Sequence, residues 1–170
     1  AGEITGKEGE VTLIHTLGLM VPDRVVVVGL GKRSNFDIDK IRAVVAVACR
    51  HLRGLSVKNI ATVAHGAGIG GIDIRASAQA IAEGSLLGLY EFDKYITTEE
   101  DKTRVNELVI VEIDSEKIES LRSGISDGMI MGDAVNLCRD LASEPANFMT
   151  PSELSEAALK AGRSSGIDIE

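Results

Sequence analysis

The sequence predicts an α/β fold: a three-layer αβα sandwich around a mixed, mostly parallel sheet. Three observations carry that expectation. Short β-branched runs alternate along the chain with amphipathic or Ala-rich stretches long enough for helices. The run Val25-Val26-Val27-Val28 is apolar on both faces, as in a mid-sheet strand covered by helices on both sides. Glycine-rich segments follow two of the apolar runs, at Gly29-Leu30-Gly31 and at Gly66–Gly71, as turns leaving a strand do.

Val11–Thr16 and Arg24–Gly29 read as the first strands. Asp37–Arg53 reads as a helix with Ile38, Ile41, Val44, Val45, Ala48 and Leu52 on one stripe. Val57–Ala64 is the next strand, Asp73–Tyr90 an Ala-rich helix, and Glu107–Ile113 a strand built on Leu108-Val109-Ile110-Val111. A long helix runs from Ser115, read as its N-cap, to about Ala142. Gly124, Gly128 and Gly132 fall four apart in it, at about 1 kcal/mol each against alanine. A break at Ser123-Gly124 or a very close helix contact accounts for them equally well. Thr150-Pro151-Ser152-Glu153 restarts a helix with a capping box, Pro at its first position, and Gly166 stops it. Ile167–Glu170 reads as the opening of a further strand.

Composition excludes several classes. With 44% apolar residues the 170-residue chain is not disordered. Its 18 Lys and Arg against 26 Asp and Glu leave a net charge of −8, which argues against nucleic-acid binding. The longest apolar runs, Val25–Gly31 and Ala43–Cys49, fall far short of the roughly 18 residues that cross a bilayer. The opening Ala1-Gly2-Glu3-Ile4 is neither a signal peptide nor an initiator methionine and reads as a cut end. Cys49 and Cys138, far apart and inside helical patterns, indicate no disulfide framework and fit a reducing compartment.

No catalytic constellation emerges from the residues. Gly66-Ala67-Gly68-Ile69-Gly70-Gly71 matches G-x-G-x-x-G between a strand and a helix, the context of a dinucleotide fingerprint. The acidic residues about twenty positions on, Glu91 and Asp93, lie at a helix end instead of a strand tip. A tight strand-to-helix connection is therefore preferred, with Gly66, Gly68 and Gly71 kept as the alternative nucleotide site. Gly29-Leu30-Gly31-Lys32 lacks the spacing and the Ser or Thr of a phosphate loop. His15, His51 and His65 show no metal-ligand spacing, and Cys138 reads as a packed thiol. Glu99-Glu100-Asp101, beside Lys102 and Arg104, reads as a solvated loop.

The stretch from Asn136-Leu137-Cys138-Arg139-Asp140-Leu141 through Asn147-Phe148-Met149-Thr150-Pro151 resembles the segment joining the two domains of leucyl (cytosol) aminopeptidases of the M17 type. Gly6-Lys7-Glu8-Gly9-Glu10, Val25–Lys32 and Leu89-Tyr90-Glu91-Phe92-Asp93-Lys94-Tyr95 are similar to further segments of that family, in the right order. The resemblance implies a macro-domain-like N-terminal domain over 1–143, lacking its first strands upstream of Ala1. Residues 144–170 would then be a connector helix and the start of an absent catalytic domain. That domain would hold two divalent metals, Zn or Mn, and the catalytic residues. The resemblance thus assigns this chain no catalytic residue and no metal ligand. It further implies a cytoplasmic parent, hexameric, acting on the N-termini of peptides. The alternatives are a macro-like module binding ADP-ribose or a dinucleotide at Gly66–Gly71, and a purely structural assembly domain.

Overall fold

In the computed structural model, which describes residues 4–68, 71–97 and 104–169, the alternation of strands and helices is realised as an α/β fold. Strands β1 (Val11–His15) and β2 (Arg24–Val28) pair antiparallel, from Val11↔Val28 to His15↔Arg24. Thr16 closes their connection: its N–H donates to the Asp23 carbonyl at 3.1 Å and its hydroxyl to the Pro22 carbonyl at 2.7 Å. Helix α1 (Ile38–Gly54) begins where the Asp37 carboxylate accepts the Lys40 N–H at 2.9 Å. Its buried side chains are Ile41, Val44, Val45, Cys49 and Leu52, spaced as the periodicity of the sequence requires.

β3 (Asn59–Val63), α2 (Ile74–Leu89) and β4 (Glu107–Val111) form a parallel crossover unit, with β3 and β4 in register from Asn59↔Glu107 to Val63↔Val111. Ile60, Leu108 and Ile110 pack on the core of Phe36, Ile41, Val45, Cys49, Ala80 and Ile81. The alternate residues Ala61, Val63, Val109 and Val111 are exposed. Helices α3 (Ile118–Ser143) and α4 (Pro151–Ser165) complete the chain. Two compact units divide it, one ending at Asp133 and the other beginning at Ala134, a boundary inside α3 and upstream of the division read from the sequence.

Several local expectations are revised. The strands pair as two two-stranded sheets, and β2, expected mid-sheet, is paired along one edge only among the described residues. The cap before α3 is Asp114, not Ser115; its carboxylate accepts the Glu116 N–H at 3.1 Å and opens a 3₁₀ turn over Ser115–Lys117. Ile167–Ile169 carries no strand pairing. Instead Gly166 adopts φ 69°, and the Ile167 N–H donates to the Gly162 carbonyl at 2.9 Å, closing α4. Cys138, expected to be packed, is exposed.

The three glycines of α3 mark a close helix contact, and α3 is unbroken through them. A Cβ on Gly124 would fall 2.2 Å from the Arg75 carbonyl oxygen, and one on Gly128 2.5 Å from that of Gln79. On its other side α2 meets α1 in the same way: a Cβ on Gly84 would fall 2.6 Å from the Arg42 carbonyl oxygen, and one on Gly88 2.6 Å from the Ala46 Cα. Helix α2 thus lies between two helices at backbone distance. Charge reinforces the α1–α2 contact, where the Arg42 guanidinium pairs with buried Glu83, whose other oxygen accepts from Gln79 at 2.7 Å. Arg75 adds a pair to Asp127 on α3 at 2.7 Å.

Gly124→Ala and Gly128→Ala are expected to lower stability. Overpacking against fixed backbone costs about 1–3 kcal/mol and outweighs the roughly 1 kcal/mol gained in helix propensity. Gly54→Ala, at a site with no atom within 4 Å, is expected to be neutral or mildly stabilising. Urea midpoints of the three variants check this.

Candidate functional site

The structure brings Gly66, Gly68 and Gly71 together in the turn between β3 and α2, at φ 88°, 82° and 77°. Only glycine holds these angles without strain. Gly66 is also sterically required, since a Cβ there would meet the Phe36 ring at 2.7 Å and Ile41 Cδ1 at 2.9 Å. Ile69 and Gly70 lie outside the described residues.

A phosphate site at this position needs free backbone N–H groups at the start of α2. Three of the amides around that start are taken up internally. The Asp73 carboxylate accepts the Ala76 N–H at 2.7 Å, and the Ser77 N–H donates to the Asp73 carbonyl at 3.0 Å. The Gly68 N–H donates to the Ile72 carbonyl at 3.0 Å, and the Ser77 hydroxyl to the His65 carbonyl at 2.8 Å. A carboxylate therefore holds the place that a phosphate would take, and its charge opposes a second anion.

The second glycine pair is likewise internal. Gly29 lies against the backbone of Gly6 and Lys7, where a Cβ would meet the Lys7 carbonyl oxygen at 1.9 Å. The Gly31 N–H donates to the Gly6 carbonyl at 3.0 Å, and the Gly9 N–H to that of Gly29 at 2.9 Å. Two glycine turns far apart in sequence are thus stitched backbone to backbone, and Lys40 pairs with Glu8 beside them. Glu10 braces the first turn by accepting from the Thr5 hydroxyl at 2.8 Å and the Thr5 N–H at 3.0 Å, which lowers its pKa.

The remaining candidates do not converge. Among the described residues no group of three or more His, Cys, Asp or Glu side chains is placed to hold a metal ion. Burial raises the Cys49 thiol to about 11, so it stays protonated and unreactive near neutrality. Glu99, Glu100, Asp101 and Lys102 lie outside the described residues, whereas Arg104 pairs with Asp93 at 2.5 Å. Sequence reasoning missed the Arg42–Glu83–Gln79 cluster, whose only signal is an acidic residue inside an Ala-rich helix. It also missed half-buried His65: its Nε2 is buried without a hydrogen-bond partner, and Nδ1 lies 3.5 Å from the Thr62 hydroxyl. No helix of the described residues is long and apolar enough to cross a membrane.

Residues 1–99 match the family model described as "Cytosol aminopeptidase family, N-terminal domain". A probable cytosol aminopeptidase of Alkaliphilus metalliredigens is 35% identical over 172 residues, covering all of this chain and 34% of that relative. One from Geobacter sulfurreducens is 38% identical over 166 residues, covering 97% of this chain and 33% of the relative. A mutant of tomato leucine aminopeptidase superposes with a TM-score of 0.76 at 25% identity, over 96% of this chain and 31% of its own. The fold is shared with the bottromycin maturation enzyme BotP in complex with Mn, at a TM-score of 0.80 and 23% identity, over 98% of this chain and 33% of that one. The chain spans about a third of the length of the relatives it matches.

Two outcomes are expected. Gly66→Ala should destabilise more than Gly68→Ala: both bear about 1–2 kcal/mol of left-handed strain, and Gly66→Ala alone adds a clash with Phe36, so thermal midpoints should order wild type, Gly68→Ala, Gly66→Ala from highest to lowest. His65 supplies a pH dependence. Desolvation lowers its pKa below 6.5, against a smaller opposing effect of the Val63 carbonyl, so the unfolded chain binds more protons than the folded one below that pH. Stability present above about pH 6.5 is therefore lost as pH falls, and His65→Phe should flatten that limb in urea titrations at stepped pH.

Proposed function

Since the chain belongs to the cytosol aminopeptidase family through that family's N-terminal domain, we propose that it is the non-catalytic part of a longer metallo-aminopeptidase. The observation that carries this reading is the coverage: relatives match the chain from end to end, yet it accounts for only about a third of each. In this reading residues 144–170 lead toward a catalytic domain that holds two divalent metals, zinc or manganese. The pair would activate a water for attack on the first peptide bond. One fold neighbour is described as a complex with Mn, which supports manganese among the metals considered.

The role of this chain is then architectural. It offers a rigid α/β body to the catalytic domain and to other copies of the parent, which we read as a cytoplasmic hexamer acting on peptides. Gly66, Gly68 and Gly71 serve as a structural turn, supported by the internal use of the Gly68 N–H and by the carboxylate cap of Asp73.

Purified chain 1–170 is expected to release no p-nitroaniline from leucine p-nitroanilide. The parent polypeptide, extended downstream, should release it in a chelator-sensitive manner. Release by 1–170 alone would overturn the non-catalytic assignment. A parent that is inert with added zinc and with added manganese would overturn the peptidase reading. Calorimetric titration of 1–170 with ADP-ribose is expected to show no saturable heat, and micromolar binding lost in Gly68→Ala would restore the nucleotide alternative.

A further inference from the structure

Helices α1 and α2 meet through faces that repeat every turn. Gly84 of α2 seats over the Arg42 carbonyl and Gly88 over Ala46, so the contact advances by four residues on each helix in the same direction. Residues four apart lie on one face, about one turn along the axis. Faces that repeat in this way fit each other in more than one register. Packed elements then change place by a whole turn instead of sliding continuously.

The two one-turn shifts open to α2 differ. Moving it toward the C-terminus of α1 brings Gly84 over Ala46 and Ala80 over Arg42. Ala80 is fully buried, and its methyl would take a seat where a Cβ falls 2.6 Å from a carbonyl oxygen. Sterics exclude that shift. Moving α2 the other way brings Gly88 over Arg42 and Gly84 over Ile38. A glycine then fills each seat, and no methyl group meets main chain.

Charge is what opposes this second shift. Glu83, 6% exposed, pairs with the Arg42 guanidinium, and its other oxygen accepts from the Gln79 amide at 2.7 Å. Arg42 also pairs with Asp39 at 2.6 Å. After the shift Leu87 would stand level with Arg42, and Glu83 level with Ile38 and Asp39. A buried carboxylate would lose its cation and meet a like charge. Single hydrogen bonds hold the ends of α2, from the Ser77 hydroxyl to the His65 carbonyl at 2.8 Å and from Arg53 to the Leu89 carbonyl at 3.1 Å. Along the shared length, the ion pair distinguishes one turn from the next.

We propose that the Arg42–Glu83 pair is a register lock: it excludes the one-turn shift that the glycine faces leave sterically open. Strength alone gives little reason for a carboxylate inside this Ala-rich helix, because apolar residues of similar volume often replace a buried ion pair without loss of stability. Choosing one arrangement among near-equal ones does give a reason.

Glycine-labelled NMR of two variants of the chain tests the lock. Glu83→Leu combined with Arg42→Met removes both charges and keeps apolar bulk, whereas Glu83→Gln removes one charge and keeps the shape. In the wild type Gly84 and Gly88 are expected to give one amide signal each, with the Gly88 α-protons against the Ala46 methyl. The double variant should give a second signal for each, at roughly a tenth or more of the population. In that second form the Gly88 α-protons should contact the residue 42 side chain in place of Ala46. Glu83→Gln should show the same second form, and the thermal midpoint of the double variant should stay close to or above that of the wild type. One signal per glycine in both variants overturns the proposal. So does a second signal that keeps the Ala46 contact, which would mark local fraying. If the double variant shows no cooperative transition, Glu83→Gln decides: the second form with its residue 42 contact supports the lock, and single signals overturn it.

Discussion

Helix α2 touches its neighbours through backbone and methyl groups on two sides, and the rest of the first unit is arranged around that contact. Gly84 and Gly88 admit α1, while Gly124 and Gly128 of α3 admit the Arg75 and Gln79 carbonyls of α2. Dispersion falls off steeply with distance, so helices this close gain contacts along their whole shared length, and any added atom must displace main chain. The helix is consequently buried almost all round, from Ser77 to Gly88. That burial constrains its polar groups. Glu83 is tolerated there because Arg42 and Gln79 take both of its oxygens.

The same use of glycine recurs in the turns, and it separates a structural reading of the motifs from a ligand-binding one. A glycine loop before a helix favours a phosphate only if its amides are free and the helix N-terminus is uncapped. At Gly66 and Gly68 the space removed by lacking a Cβ, or the angle permitted by it, is taken up by Phe36, Ile41 and the Ile72 carbonyl. At Gly29 and Gly31 it is taken up by another turn, Gly6-Lys7. Both segments carry backbone contacts within the chain.

Rigidity in the β layer is incomplete. Each sheet has two strands, and isolated two-stranded pairs are marginal without further support. Here α1 supports both, lining a cavity between their open edges and packing Ile41, Val45 and Cys49 into the core shared with Ile60, Leu108 and Ile110. The valine run of β2 is half-buried from Val25 to Val28.

The sequence by itself determined the elements. The α1 stripe, the Asp73 and Thr150 caps, the Gly166 stop and the α/β alternation are local properties, set by side-chain periodicity and by hydrogen bonds within a few residues. The family was legible from Asn136–Pro151 and the glycine turns, and residues 1–99 match its N-terminal model. Only tertiary structure decided between a broken helix and a close contact at Gly124, Gly128 and Gly132, because spacing names a face without naming what meets it. The Gly66–Gly71 turn was ambiguous for the same reason: the motif specifies backbone freedom, whereas the use of the Gly68 N–H by the Ile72 carbonyl and the capping of α2 by Asp73 appear only once folded. Strand pairing lay beyond the sequence altogether. Val25–Val28 states that a strand is to be buried, but which edges find partners depends on segments distant along the chain.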